Sequence, residues 1–326
     1  MPEIVYVLLG ALLSFATALA IGPFAIKLLH RLKFGQSIRS EGPQSHLKKA
    51  GTPTMGGVII LVALLVGILV VGKLTTEVVF LLLLTVGFGI IGLIDDLIIV
   101  ITKRNLGLTA RQKLFAQIVL ATVAAVFLSR VPSATTQLIP FTNLKLTFPV
   151  LSFNPLFLIF AAFVIVSESN AVNLTDGLDG LAGGTVAIAV LTFGALALVM
   201  GEYGVALFSF CLAGACFGFV WFNCPPAKVF MGDTGSLALG AALAGIALYT
   251  RLSFFLLIVG GIFLAEVLSD VIQVASYKTS GKRGFRMAPL HHHFELGGML
   301  EPQIMSRFWM IGMVLGVLGV LGFFVK

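Results

Sequence analysis

The sequence predicts an all-α integral membrane protein of about ten transmembrane helices, one polytopic domain over residues 1–326 with both termini extracytoplasmic. Three observations predict it. The chain is 58% hydrophobic and 11% charged, with a mean hydropathy of +1.07, against roughly 45–50% apolar and about a quarter charged for soluble domains. Its apolar residues gather into runs close to the ~20 residues that cross a bilayer. Its cations fall mostly on alternate connecting segments, as in a chain oriented by the positive-inside rule. This much apolar surface exceeds what a soluble core can bury, and no segment is polar enough for disorder.

The runs, in order, are 4–29, 55–72, 77–95, 112–130, 155–172, 181–200, 203–222, 235–250, 253–277 and 304–325. Each reads as a helix, because lipid-exposed backbone must satisfy its hydrogen bonds internally. The first starts at Ile4 with no basic flank or small-residue cleavage site, so it is expected to be a retained helix and not a signal peptide. In the third, Gly87-Phe-Gly89-Ile-Ile-Gly92 matches the dinucleotide-binding glycine pattern, but no strand precedes it and it reads as helix packing. Residues 131–154 carry alternating apolar positions and predict a short periplasmic hairpin. A tight turn is needed near Gly201 and the eighth run is short, so nine or eleven spans are the alternatives to ten. Gly214/Gly218 and Gly312/Gly316 are small-xxx-small pairs suited to close helix contact. No Pro/Ser-rich linker or charge block divides the chain.

With the N-terminus outside, sixteen of the 21 Lys and Arg fall on inward segments, Lys33, Arg39, Lys48, Lys103 and Arg104 among them. The formal charge of +7 is then mainly topology and calls for no nucleic acid. The six Asp (Asp95, Asp96, Asp176, Asp179, Asp233 and Asp270) all lie at or near inward ends of spans. Cys211, Cys216 and Cys224 form no C-x-x-C pair, which argues against a disulfide framework, a zinc site or a redox site.

Asp95 and Asp96 are read as closing the third helix, where the negative end of the macrodipole disfavours carboxylates; that cost points to function. Neighbours on a helix point about 100° apart, so the two are expected to serve different partners. The first would take a proton and the second hold a cation or a basic residue. Asn173-Leu-Thr-Asp176-Gly-Leu-Asp179-Gly puts an amide and two carboxylates at spacing three, and reads equally as a site and as a turn with a helix cap. It lacks the ligand order of a calcium loop. Phe230-Met-Gly-Asp233-Thr-Gly-Ser236 opens the eighth helix, where Asp, Thr and Ser are preferred N-caps. The same helix N-terminus suits a phosphate, with Asp233 carrying a magnesium ion. Asn223-Cys-Pro-Pro-Ala-Lys228 is a rigid loop that adds an amide and a cation. His291, His292 and His293, among Lys282, Arg283 and Arg286, lack zinc spacing and suit an anion such as a diphosphate. Lys48, Lys49 and GTPTMGG, before the second helix, form an inward anchor or a contact to phosphate or base.

Carboxylates, a metal and cations on one face are what phosphoryl transfer uses. No Ser–His–Asp arrangement, activated Cys or Walker A sequence accompanies them. The membrane setting makes one reactant a lipid, so the expected activity is a lipid-phosphate transferase with a soluble phosphorylated co-substrate. The rival is a proton-coupled secondary transporter that uses Glu168 and Glu266. Transporter sites lie near the midplane, whereas the polar residues here crowd one edge, which favours the transferase.

Lys49 with GTPTMGG, the Asp95–Asp96 pair, NLTDGLDGLA, FNCPPA, FMGDTGS and PLHHHFE together resemble the phospho-N-acetylmuramoyl-pentapeptide transferases, in order and along essentially the whole chain. These belong to the polyprenyl-phosphate N-acetylhexosamine-1-phosphate transferases. PLHHHFE resembles the muramoyl-pentapeptide branch; the GlcNAc-1-phosphate branch is the alternative. The resemblance implies ten transmembrane helices, Mg2+, and a homodimer in the bacterial cytoplasmic membrane with its active site on the cytoplasmic face. It implies transfer of phospho-MurNAc-pentapeptide from UDP-MurNAc-pentapeptide to undecaprenyl phosphate, giving lipid I and UMP in peptidoglycan synthesis. By residue, it implies Asp233 as the magnesium ligand, Asp95 as the base toward the lipid phosphate, Asp96 as a second essential carboxylate and His291 as the essential histidine. Lys49, Asn173, Asp176, Asp179 and Phe230 would line the uridine pocket, with Asn223 close by. Lys113 would contact phosphate, and His292 and His293 would complete the substrate-binding set.

Overall fold

The computed structural model describes residues 2–32, 49, 51–102, 107–149 and 154–325. Lys33, Arg39, Lys48, Lys103 and Arg104 lie outside the described residues. Every apolar run coincides with helix. The first seven become α1 (Glu3–Arg31), α2 (Gly57–Val71), α3 (Thr76–Thr102), α4 (Ala110–Ser129), α5 (Pro155–Thr175), α6 (Leu181–Val199) and α7 (Tyr203–Asn223). The rest become α8 (Gly232–Tyr249), the pair α9 (Leu256–Val259) and α10 (Gly261–Ser280), and α12 (Glu301–Phe324). A short α11 (Leu290–Glu295) carries the three histidines. Among the described residues, seven helices are long and apolar enough to cross a membrane, or eight if α9 and α10 form one bent span. At 15 residues α2 is shorter, and α8 opens on the polar sequence GDTGS.

Two expectations need correction. The third helix does not close at Asp95–Asp96; α3 runs on to Thr102 through the apolar residues Leu97–Ile101, so both carboxylates sit inside a helix and the macrodipole argument does not apply to them. The run 253–277 is not one helix. A 3-10 turn (Ser253–Phe255) leads into α9, and the chain bends by 80° before α10, at Gly260-Gly261, where helix propensity is lowest short of proline. The expected hairpin is present as β1 (Thr136–Leu138) and β2 (Lys145–Thr147), antiparallel with Gln137 opposite Leu146. Leu138 N–H donates to Arg251 O at 2.8 Å and Phe141 N–H to Gly322 O at 2.8 Å, which ties the hairpin to the ends of α8 and α12.

Helices α7 and α8 form the buried centre. Lipid supplies no hydrophobic drive between helices, so close contact through small residues does the packing. Gly214 of α7 lies on the Ala11 carbonyl of α1, and Gly218 lies against Ala18. Gly316 of α12 meets Thr192 of α6. Gly57 of α2 crosses directly over Gly235 of α8, and Gly92 of α3 lies on the Asp233 carbonyl. A Cβ at any of these five would collide with its neighbour. Gly92, the last glycine of the rejected dinucleotide motif, is therefore a helix-crossing residue. An apolar cleft of about 410 Å³ opens between α3 and α4, lined by Leu74, Phe80, Leu120 and Phe127 among others. It contains no titratable side chain and lies at the opposite end of α3 from the aspartates.

Candidate active site

The crossings at Gly57 and Gly92 bring α2 and α3 onto the first turn of α8. Gly232 has φ +71°, a left-handed conformation that a side chain disfavours, and it sets Asp233 at the start of the helix. Asp233 is not the N-cap: that position is Met231, which makes no side-chain cap. The cap comes from another helix. Asp96 Oδ1 accepts from Asp233 N–H at 3.2 Å, and Oδ2 accepts from Thr234 N–H at 3.0 Å and from Thr234 Oγ1 at 2.7 Å. Asp96 thus satisfies two of the orphan amides of α8, and the partner expected to be a cation or basic residue is a helix N-terminus.

Asp95 faces elsewhere, as adjacent helical positions require. Its Oδ1 accepts from Leu108 N–H at 2.8 Å, and its carboxyl lies beside those of Asp233 and the ammonium of Lys113. Asp95 and Asp96 are 6% and 5% exposed. Lys113, near the start of α4, bonds Asp233 Oδ2. Thr109 and Gln112 close a capping box at that end of α4, which fixes where Lys113 emerges. Asn173, in the last turn of α5, donates from Nδ2 to Asp233 Oδ1 and to Ser236 Oγ, each at 2.8 Å. Asp176 caps the C-terminus of α5. Burial first, then the carboxylates of Asp233, Asp96 and Asp179, push its pKa well above the usual carboxylate range. Asp95, Asp96, Asp176 and Asp233 thus share a neighbourhood with the ammonium of Lys113.

Three residues further along the turn, Asp179 faces a second cation. Its Oδ1 accepts from Lys49 Nζ at 2.8 Å and its Oδ2 from Ala227 N–H at 2.9 Å. Lys49 also bonds Glu301 Oε1 at 2.6 Å, and the same oxygen accepts from Asp179 N–H at 2.7 Å. Asn223 is buried and braces the turn: Oδ1 accepts from Gly180 N–H at 2.9 Å and Nδ2 donates to Val229 O at 2.8 Å. Phe230 is half-buried. Its backbone pairs with the segment before α2, through Phe230 N–H to Pro53 O and Gly56 N–H to Phe230 O, both 2.8 Å. Burial, then Asp179, pushes the Cys224 thiol up, the opposite of what an activated nucleophile needs.

The histidines divide. His291 is 0% exposed and its Nδ1 lies 3.1 Å from Glu266 Oε2. It is not part of an open cationic cluster for an anion. His292 Nδ1 lies 3.0 Å from Glu295 Oε2, and His293 Nδ1 accepts from Arg286 N–H at 3.1 Å. His291 reaches the aspartate turn, at Gly177.

A family model described as glycosyl transferase family 4 matches residues 78–251, and a phospho-N-acetylmuramoyl-pentapeptide-transferase signature matches residues 49–61. The chain is 49% identical over 316 residues to phospho-N-acetylmuramoyl-pentapeptide-transferase of Geobacillus sp. (strain WCH70), covering 96% of each. It is 49% identical over 318 residues to that of Bacillus subtilis (strain 168), covering 96% of this chain and 97% of the relative. The chain belongs to the phospho-N-acetylmuramoyl-pentapeptide-transferase family.

The transferase signature begins at Lys49, the lysine that joins Asp179 to Glu301, and ends inside α2. The glycosyl transferase match takes in Asp95, Asp96, Lys113, Asn173, Asp176, Asp179, Asn223, Phe230 and Asp233. The histidine segment lies beyond both matches and within the span that the full-length transferase relatives cover. Two residues of this transferase were not found as site residues in the sequence. Glu301 sits in the first turn of α12, where an acidic residue is ordinary, so nothing marked it. Glu266 does carry a signal, as a carboxylate within an apolar helix, but its partner His291 lies in another element, and on sequence Glu266 reads only as a transporter proton site.

Proposed function

We propose that the chain transfers phospho-MurNAc-pentapeptide from UDP-MurNAc-pentapeptide to undecaprenyl phosphate, giving lipid I and UMP. The observation that carries this reading is the gathering of Asp95, Asp96, Asp176 and Asp233 with Lys113 at one end of a bundle of membrane helices, in a chain of this family. We place that end on the cytoplasmic face of a bacterial inner membrane, with ten spans and both termini outside. Sixteen of 21 cations on inward segments support this orientation. A homodimer is part of the same reading and rests on the family resemblance.

The donors around Asp233 are hard oxygens, which suits Mg2+. Among the described residues no three His, Cys, Asp or Glu converge on one point to enclose a metal. Mg2+ is usually bound through one or two carboxylates plus substrate phosphates and needs no such cluster. Asp233 would hold it, oriented by Asn173. Bound Mg2+ would supply charge neutralisation on the diphosphate. Lys113, already on Asp233 Oδ2, is placed to neutralise a phosphate oxygen. Asp95, between Lys113 and the Leu108 amide, is placed to take the proton of the lipid phosphate. Lys49, Asp179 and the turn braced by Asn223 would receive the uridine beside Phe230. His291, which meets the aspartate turn at Gly177, would line the sugar-phosphate side.

The lipid phosphate oxygen then forms a bond to the β-phosphorus, and the bond from that phosphorus to the oxygen of the α-phosphate breaks to release UMP. Direct attack is favoured because Cys224 is held as a thiol and no other strong protein nucleophile is evident. Purified protein given undecaprenyl phosphate with UDP-MurNAc-pentapeptide is expected to release UMP and form lipid I. Release with UDP-GlcNAc only would move the chain to the sister branch. Proton-coupled uptake in liposomes without UMP release would favour a transporter. Trapping a phosphorylated Asp95 or Asp96 with nucleotide alone would exclude direct attack.

A further inference from the structure

Glu266 on α10 and His291 on α11 are both 0% exposed and pair across a sequence separation of 25 residues. The geometry orients the ring. Glu266 Oε2 lies 3.1 Å from His291 Nδ1 and also accepts the His291 backbone N–H at 3.4 Å. A carboxylate oxygen that already accepts the backbone N–H suits a protonated Nδ1 as its second donor. Nε2 is buried and has no hydrogen-bond partner, which is rare for a polar atom in a folded protein. It points at Gly177, where a Cβ would collide with it. Gly177 follows Asp176 in the turn that carries the acidic cluster. The other groups facing the ring are Asp270, further along α10 and within electrostatic reach of both His291 and Glu266, and His292, whose ring centroid is 4.2 Å away.

We propose that Glu266 is a positioning residue that holds His291 as its Nδ1–H tautomer, so that the lone pair of Nε2 faces the Asp176–Gly177 turn against which substrate binds. The proposal rests on the transferase reading above for the substrate, and on geometry alone for the tautomer. A carboxylate behind an imidazole is a general device for fixing ring orientation and basicity.

The tautomer can be read without activity. In protein labelled with nitrogen-15 at histidine, the His291 signals are assigned by their loss in His291→Gln and followed to a pH at which the ring is neutral. A protonated Nδ1 and bare Nε2 are expected; a protonated Nε2 overturns the proposal. Kinetics give the second test. Glu266→Gln keeps the shape but can offer its amide N–H to Nδ1 and so stabilise the wrong tautomer. It is expected to lower kcat by about 100-fold or more, by analogy with the loss in a Ser–His–Asp triad whose Asp is made Asn. KM for the UDP-sugar should stay close to wild type, and Glu266→Asp should recover part of kcat. A folded Glu266→Gln protein that binds UMP and turns over like wild type overturns the proposal. Should that variant melt early, Glu266→Asp and the wild-type tautomer decide. Wild-type protein that releases no UMP from UDP-MurNAc-pentapeptide brings down the transferase reading, while its tautomer still tests the Glu266 assignment.

Discussion

Asp96 commits both carboxylate oxygens to the first turn of α8, two bonds to backbone amides and one to the Thr234 hydroxyl. Hydrogen bonds to a charged acceptor contribute about 1.5–3 kcal/mol each. Asn at this position keeps one acceptor oxygen and turns a donor toward α8. Asp96→Asn is therefore expected to lower the melting temperature of the detergent-solubilised protein as well as its activity. An unchanged melting temperature would contradict the capping role. Asp176 allows a test by pH. Its folded pKa is raised above an unfolded value of about 3.9, so folding favours the protonated form. That contribution is complete below about pH 3.9 and is lost as pH rises through the folded value. Asp176→Asn is neutral throughout. Relative to wild type, it is expected to raise the melting temperature of metal-free protein at pH 8 and to make little difference at pH 4. A gain that does not grow with pH would contradict the account.

Helix α8 works as an element because its first turn is approached closely from two sides, at Gly57 on Gly235 and at Gly92 on the Asp233 carbonyl. The colliding atoms are backbone, so neither neighbour can yield by turning a side chain. Gly57→Ala is expected to cost about 1–3 kcal/mol, the range for overpacking, and to lower activity by shifting Asp233. Wild-type melting and turnover in that variant would show the crossing to be loose. Helix existence was legible throughout, since each apolar run coincides with helix. Helix ends and breaks were less so. Asp95 and Asp96 read as a terminus because their partners, Leu108 and the start of α8, are remote in sequence; once partnered sideways they need no helix end. The 80° bend at Gly260-Gly261 carries only two glycines as its signal, and glycine pairs are also common where helices simply pack.

Across the whole molecule, the charge asymmetry and the acidic cluster point to the same face. Cysteines introduced for Lys145 in the hairpin and for Lys282 after α10, both exposed, test the orientation in a Cys224→Ser background. The first is expected to react with an impermeant maleimide in intact cells, and the second only after permeabilisation; the reverse order would invert the topology. Which residues gather was readable from motif and charge: Asp95, Asp233, Asn173 and Lys113 do meet. How they are held was not. Lys49 meets Glu301, 252 positions away in the chain, and Glu266 of α10 meets His291 of α11, 25 positions on. The central claim is that the cluster around Asp233 is the phosphoryl-transfer centre. The measurement that tests it most directly is lipid I formation from UDP-MurNAc-pentapeptide and undecaprenyl phosphate, with excess Mg2+, by wild type and by folded Asp233→Asn. The account predicts lipid I from the wild type and essentially none from the variant; substantial turnover by Asp233→Asn would contradict it.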